Sequence, residues 1–104
     1  MTDPVAISKK FISELTSAGI PVSKAYLYGS YAKGNATSYS DIDICIVSPS
    51  FGKDLIDEMV KLRQISRRVD DRIEAPPFGI DDINNPYDPL AAEIRRFGQP
   101  VISS

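Results

Sequence analysis

Residues 41–47 read Asp-Ile-Asp-Ile-Cys-Ile-Val, an apolar run of the length and type that forms a buried strand. Successive side chains of a strand point to opposite faces. Asp41 and Asp43 therefore share one face, while Ile42, Ile44 and Ile46 share the other. Two like charges side by side on such a segment destabilise a fold unless something positive sits between them. A divalent metal ion is the usual remedy. Carboxylate oxygens are the ligands Mg²⁺ prefers, and it often shares them with substrate phosphates. The pair points to metal-assisted phosphoryl or nucleotidyl chemistry; the plainer alternative is a solvated strand start with both acids in water.

Upstream, Gly29-Ser30-Tyr31-Ala32-Lys33-Gly34 separates an earlier strand from the acidic one. Small residues there let a backbone approach a phosphate closely, and Ser30 offers a hydroxyl as well as an amide. A short helix starting at Ser30 would turn its free N–H groups towards an anion. The Gly-Lys-Ser/Thr ending of a P-loop is absent, and alone the segment reads better as a strand-to-helix turn that needs glycine. Together with the aspartates it makes a coherent site. Two metals bridging an in-line displacement need a further carboxylate, and Glu74 is the best candidate. It stands among apolar neighbours on a short strand, with Ile73 and Ala75 on the opposite face; the alternative is an edge-strand glutamate reaching solvent. Asp71 points with Ile73 and is the weaker choice. Lys33 reads equally as a neutraliser of a triphosphate and as an ordinary surface lysine. Arg67, Arg68 and Arg72 read as favourable charges at a helix C-terminus. Cys45 reads as a buried structural thiol, and Tyr26, Tyr28 and Tyr31 as packing residues beside the cradle.

The rest of the chain alternates helix and strand signals without repeats. Asp3-Pro4 opens a helix with Ile7, Phe11 and Leu15 on one face, closed by Gly19 and Pro21. Strands are predicted at 22–28, 41–47 and 72–75, the last stopped by Pro76-Pro77. A long helix over about 53–69 should place Leu55, Met59, Leu62, Ile65 and Val69 on its core face. A short helix from Pro89 to Phe97, capped by Gly98, and an extended tail at Val101-Ile102 complete the pattern. At 104 residues this predicts a single domain, 1–104, of α/β type: a small mixed sheet with helices packed mainly on one face.

Composition removes several functions. The chain has no histidine, which excludes Ser-His-Asp and Cys-His catalysis and histidine-ligated zinc. Its net charge is −2, so no global basic field draws it to nucleic acid, and no direct nucleic-acid binding is predicted. No stretch approaches the apolar length of a membrane span, and no signal-peptide pattern opens the sequence. One cysteine excludes an internal disulfide. The expected location is the cytoplasm.

Gly29-Ser30, ten residues, then Asp41-x-Asp43 resembles the signature of the polymerase-beta-type nucleotidyltransferase superfamily. The short chain resembles its minimal nucleotidyltransferase branch, and Arg72-Ile73-Glu74-Ala75-Pro76-Pro77-Phe78 looks like the segment carrying that branch's third carboxylate. The resemblance implies two Mg²⁺ ions held by Asp41, Asp43 and Glu74. It also implies a nucleoside triphosphate donor, ATP by family habit, held at Gly29, Ser30 and Lys33. It further implies a small helical HEPN-type partner, a ribonuclease toxin adenylylated on a tyrosine, which makes the transferase an antitoxin. A glutamate stands where many superfamily members have an aspartate, and the helical extension that larger relatives use for their acceptor is missing. Two other functions fit the residues: a non-catalytic antitoxin that neutralises a helical partner by contact, and nucleotidyl transfer to a small molecule.

Overall fold

The computed structural model describes residues 3–37 and 39–101. Helix α1 (Pro4–Ser17) begins where the aspartate-proline pair sets it: Asp3 Oδ1 accepts from the Ala6 N–H at 3.1 Å, and Pro4 takes the first turn. Strand β1 (Lys24–Tyr28) leads into the single turn α2 (Ser30–Lys33), and strand β2 (Ile42–Val47) follows. Helix α3 (Leu55–Ser66) returns the chain to β3 (Ile73–Glu74) and β4 (Pro77–Phe78). A 3₁₀ turn at Asp82–Asn84, helix α4 (Pro89–Phe97) and strand β5 (Gln99–Pro100) complete the order.

The sheet is mixed, as the sequence implied. Its order is β3-β2-β1-β5, with β4 beside β2 on the same edge as β3. Strands β1 and β2 are antiparallel, as are β1 and β5; β3 and β4 both run parallel to β2. The Pro76-Pro77 pair does not stop pairing as the sequence suggested. It splits one edge into two short strands, because a proline lacking its N–H is tolerated at a sheet edge. The predicted tail is partly seen: the Val101 N–H donates to the Ala25 carbonyl at 2.9 Å, and Ile102 lies outside the described residues.

Strand parity sorts the core into two clusters. Leu27, Ile42, Ile44, Ile46 and Ile73 pack against Phe11, Ile12 and Leu15 of α1 and Leu62 and Ile65 of α3. The two long helices thus share one face. Tyr28, Cys45, Val47 and Phe78 form the other face and are covered by Ile83 of the 3₁₀ turn and by Ala91 and Ile94 of α4.

Helix α3 differs from its expected register. It buries Glu58, Leu62, Ile65 and Ser66, and leaves Leu55 and Met59 exposed. Glu58 takes the inward position because the loop before the helix needs an acceptor. Its carboxylate receives the N–H groups of Gly52, Lys53 and Asp54 at 2.9, 3.1 and 3.0 Å. Burial opposes its charge, but the hydrogen bonds from Asp54, Gly52 and Lys53 outweigh it and hold the carboxyl below its ordinary range. A group with a depressed folded pKa stabilises above its unfolded value, so this contribution is lost as pH falls through the depressed one. Glu58→Ala should therefore cost about 2 kcal/mol at neutral pH, measured by urea unfolding, with the difference from the parent shrinking below about pH 4.

Candidate active site

Register builds the site. The antiparallel pairing sets Tyr28 opposite Asp43, and the parallel pairing sets Glu74 beside Asp43 on the other side. Tyr28, Asp43 and Glu74 thus form a row across three strands on one face. The residue after Tyr28 is Gly29, so the same register brings the predicted cradle to the acidic strand. Gly29 sits at φ 70° and ψ −145°, a conformation that essentially only glycine adopts, and a Cβ there would collide with Asp43 Oδ2. Both facts require glycine at this position. Ser30 begins α2 as the sequence predicted, and its hydroxyl makes no hydrogen bond among the described residues.

Asp41 lies just ahead of β2 and is exposed, Asp43 is half-buried, and Glu74 is exposed at the sheet edge. Glu74 reaches solvent at the sheet edge and stands in register beside Asp43. No ion pair reaches Asp41, Asp43 or Glu74 among the described residues. Burial first, and then the charges of Asp41, Glu74 and Glu93, push the Asp43 carboxyl above its usual range. The Tyr28 phenol is pushed above its own by burial, and further by Asp43 and its neighbours.

This uncompensated negative field, built from hard oxygen donors, fits a divalent cation such as Mg²⁺. The fit is to an open site: among the described residues no three acidic or sulfur side chains converge closely enough to hold a metal ion by themselves. A cation here would complete its shell from substrate and water, as Mg²⁺ commonly does.

Lys33 is where sequence reasoning was incomplete. Its ammonium pairs with Glu93 of α4 at 3.1 Å and lies 5.3 Å from the centroid of the Phe97 ring. Glu93 was missed altogether. Glu93 and Phe97 are four apart on α4, which puts them on one side of that helix, but nothing in the spacing shows that this side meets a lysine 60 positions earlier. Arg72 holds Asp70 at 2.9 Å, in line with a structural role, and Asp71 is exposed in a turn.

Solved structures share this architecture. A toxin–antitoxin structure with AMP-PNP superposes with a TM-score of 0.65 at 22% identity, covering 92% of this chain and 73% of the other. A Sulfolobus solfataricus protein described as a nucleotidyltransferase gives 0.62 at 22% identity, covering 81% of this chain and 74% of its own. A structure of tri-AMPylated Shewanella oneidensis HEPN toxin in complex with MNT antitoxin gives 0.58 at 20% identity, covering 96% and 73%. At these identities the likeness is one of fold. No curated protein matches the chain. The nucleotidyltransferase domain family, in contrast, matches residues 7–95. That span holds every strand but β5, the Gly29-Ser30 turn and the whole acidic row, and by it the chain belongs to the nucleotidyltransferase domain family.

Proposed function

We propose that this chain transfers AMP from ATP to a hydroxyl of a partner protein, a tyrosine of a HEPN-type ribonuclease toxin, and so acts as a cytoplasmic antitoxin. The observation that carries this reading is the register that sets Asp43 between the Gly29 turn and Glu74. The fold shared with a toxin–antitoxin structure with AMP-PNP and with an AMPylated toxin–antitoxin complex supports the choice of donor and partner.

In this reading the bare backbone at Gly29 and the Ser30 hydroxyl hold the β- and γ-phosphates. Asp41, Asp43 and Glu74 would hold two Mg²⁺ ions. Mg²⁺, when bound, neutralises the triphosphate and lowers the pKa of the acceptor hydroxyl. In this reading Glu74, exposed at the edge, orients that hydroxyl and takes its proton. The acceptor oxygen bonds to the α-phosphorus, the bond to the β-phosphate oxygen breaks, and pyrophosphate leaves. Lys33 can exchange Glu93 for a phosphate at little cost, since an exposed pair contributes little stability. The open edge beside Glu74 suits a hydroxyl presented by a macromolecule better than a small enclosed acceptor.

The test is to incubate the chain with Mg²⁺ and ATP labelled at the α-phosphate, alone and with a HEPN-type protein from the same genome. Label should appear on the HEPN-type protein and vanish with EDTA. A second reading is a non-catalytic antitoxin that neutralises its partner by contact. Tight binding without label from any nucleotide would select it.

A further inference from the structure

Helix α4 places a carboxylate where a bound triphosphate would need its own oxygens. Glu93 Oε1 meets the Lys33 ammonium at 3.1 Å, and the Phe97 ring, one turn further along α4, seats the same ammonium from 5.3 Å. Lys33 closes the single turn that Ser30 opens, and residues three apart on a helical turn lie on one side of it. The cation that Glu93 holds is therefore the one beside the Gly29-Ser30 cradle. The acidic row feels Glu93 as well, since its charge adds to those that push up Asp43 and Tyr28. The carboxylate thus stands close to both halves of the site.

An ordinary surface glutamate would pair within its own helix. Arg96 follows Glu93 by three positions, the spacing at which helix side chains meet. It lies over the Phe97 ring at 5.2 Å and makes no ion pair among the described residues. Glu93 passes over this neighbour and reaches a lysine 60 positions earlier. Arg96 is then the cation to which Glu93 can turn once a phosphate takes Lys33.

We infer that Glu93 is a phosphate surrogate: it occupies Lys33 in the empty site, yields it to the β/γ end of a triphosphate, and returns to it as pyrophosphate leaves. The inference rests on the proposed use of the cradle for phosphates, and not on transfer to any acceptor. The side chains of the pair are 39% and 37% exposed, so breaking it costs the fold little. Binding feels the exchange more directly. Every polyphosphate that enters must displace one carboxylate, so the site holds nucleotide and pyrophosphate less tightly than its cation allows. Turnover gains from this, because a product leaves Lys33 faster when an internal anion is at hand to replace it.

Isothermal titration calorimetry of the full chain with ATP and with pyrophosphate, both in Mg²⁺, tests this. Glu93→Gln should tighten both roughly fivefold, because the internal competitor is gone, and its melting temperature should change little. Lys33→Met should weaken both roughly tenfold. In the Lys33→Met background, Glu93→Gln should gain less than about twofold, since no cation is left to compete for. A residue that merely holds α4 in place would give looser binding and a lower melting temperature on Glu93→Gln. A parent that binds neither probe overturns the inference. So does unchanged or weaker binding by Glu93→Gln, or an equal gain with and without Lys33, which would reduce Glu93 to a general repulsive charge. A chain that binds as described yet labels no HEPN-type protein supports the exchange and removes the transfer reaction.

Discussion

Asp43→Asn should reduce nucleotidyl transfer by roughly a thousandfold or more, about 4 kcal/mol in the barrier, and at the same time make the free protein more stable at neutral pH. Both effects come from one placement. Asp43 is half-buried, stands between Tyr28 and Glu74, and feels Asp41 and Glu93 with no cation paired to it. The proposed reaction needs that carboxylate, and its charge destabilises the fold when no cation is bound to it. Its folded pKa is raised, so its stabilising contribution is complete below the ordinary carboxylate pKa of 3.8 and is lost as pH rises through the raised value. Asparagine never ionises. Without divalent cation, the variant should melt above the parent at pH 7, and the gap should close at about pH 3. Adding Mg²⁺ should then raise the parent's melting point and leave the variant's almost unchanged. A variant that melts no higher than the parent at pH 7 would contradict the uncompensated charge, whatever its activity.

Gly29→Ala should be the most damaging change of a single methyl group anywhere in the site. The backbone at φ 70° and ψ −145° is essentially closed to other residues, at about 1–3 kcal/mol. The added Cβ would also meet Asp43 Oδ2. Either the turn or the aspartate must move, so stability should fall by about 3 kcal/mol and transfer by at least roughly a hundredfold. Gly34 supplies the control. It too has positive φ, at 78°, but nothing lies within 4 Å of an added Cβ. Gly34→Ala should cost only about 1 kcal/mol and leave transfer within a few-fold of the parent. Equal losses at the two glycines would show that backbone strain alone, without contact to Asp43, accounts for Gly29.

Much of this was readable in the sequence because it rests on local rules. Alternation along 41–47 fixed which side chains of the acidic strand face the core, and Asp3-Pro4 and Gly98 marked helix ends where the structure has them. The Gly29 turn was readable as a place needing glycine, although not for the reason that Asp43 crowds it. What escaped depends on contacts between distant segments. The face of α3 was misjudged because apolar spacing alone favoured Leu55 and Met59, while the needs of three loop N–H groups pulled Glu58 inward. Glu93 escaped because its importance arises only once α4 folds over the sheet and meets Lys33. Prolines 76 and 77 were read as a stop because their edge location, which makes them harmless, is a property of the sheet.

The burial of Cys45 gives the molecule its own reporter. The sole thiol of the chain is fully enclosed in the cluster under α4, and burial lifts its pKa to about 12, so it carries almost no thiolate while the fold is closed. A thiol reagent can therefore label the protein only during the moments when α4 or the sheet beneath it opens. With closing fast relative to labelling, the rate measures the population of that open state directly, in the native protein and without denaturant. A partner that packs against α4 would slow the labelling, and the same chemical clock would time the loosening caused by substitutions in the site.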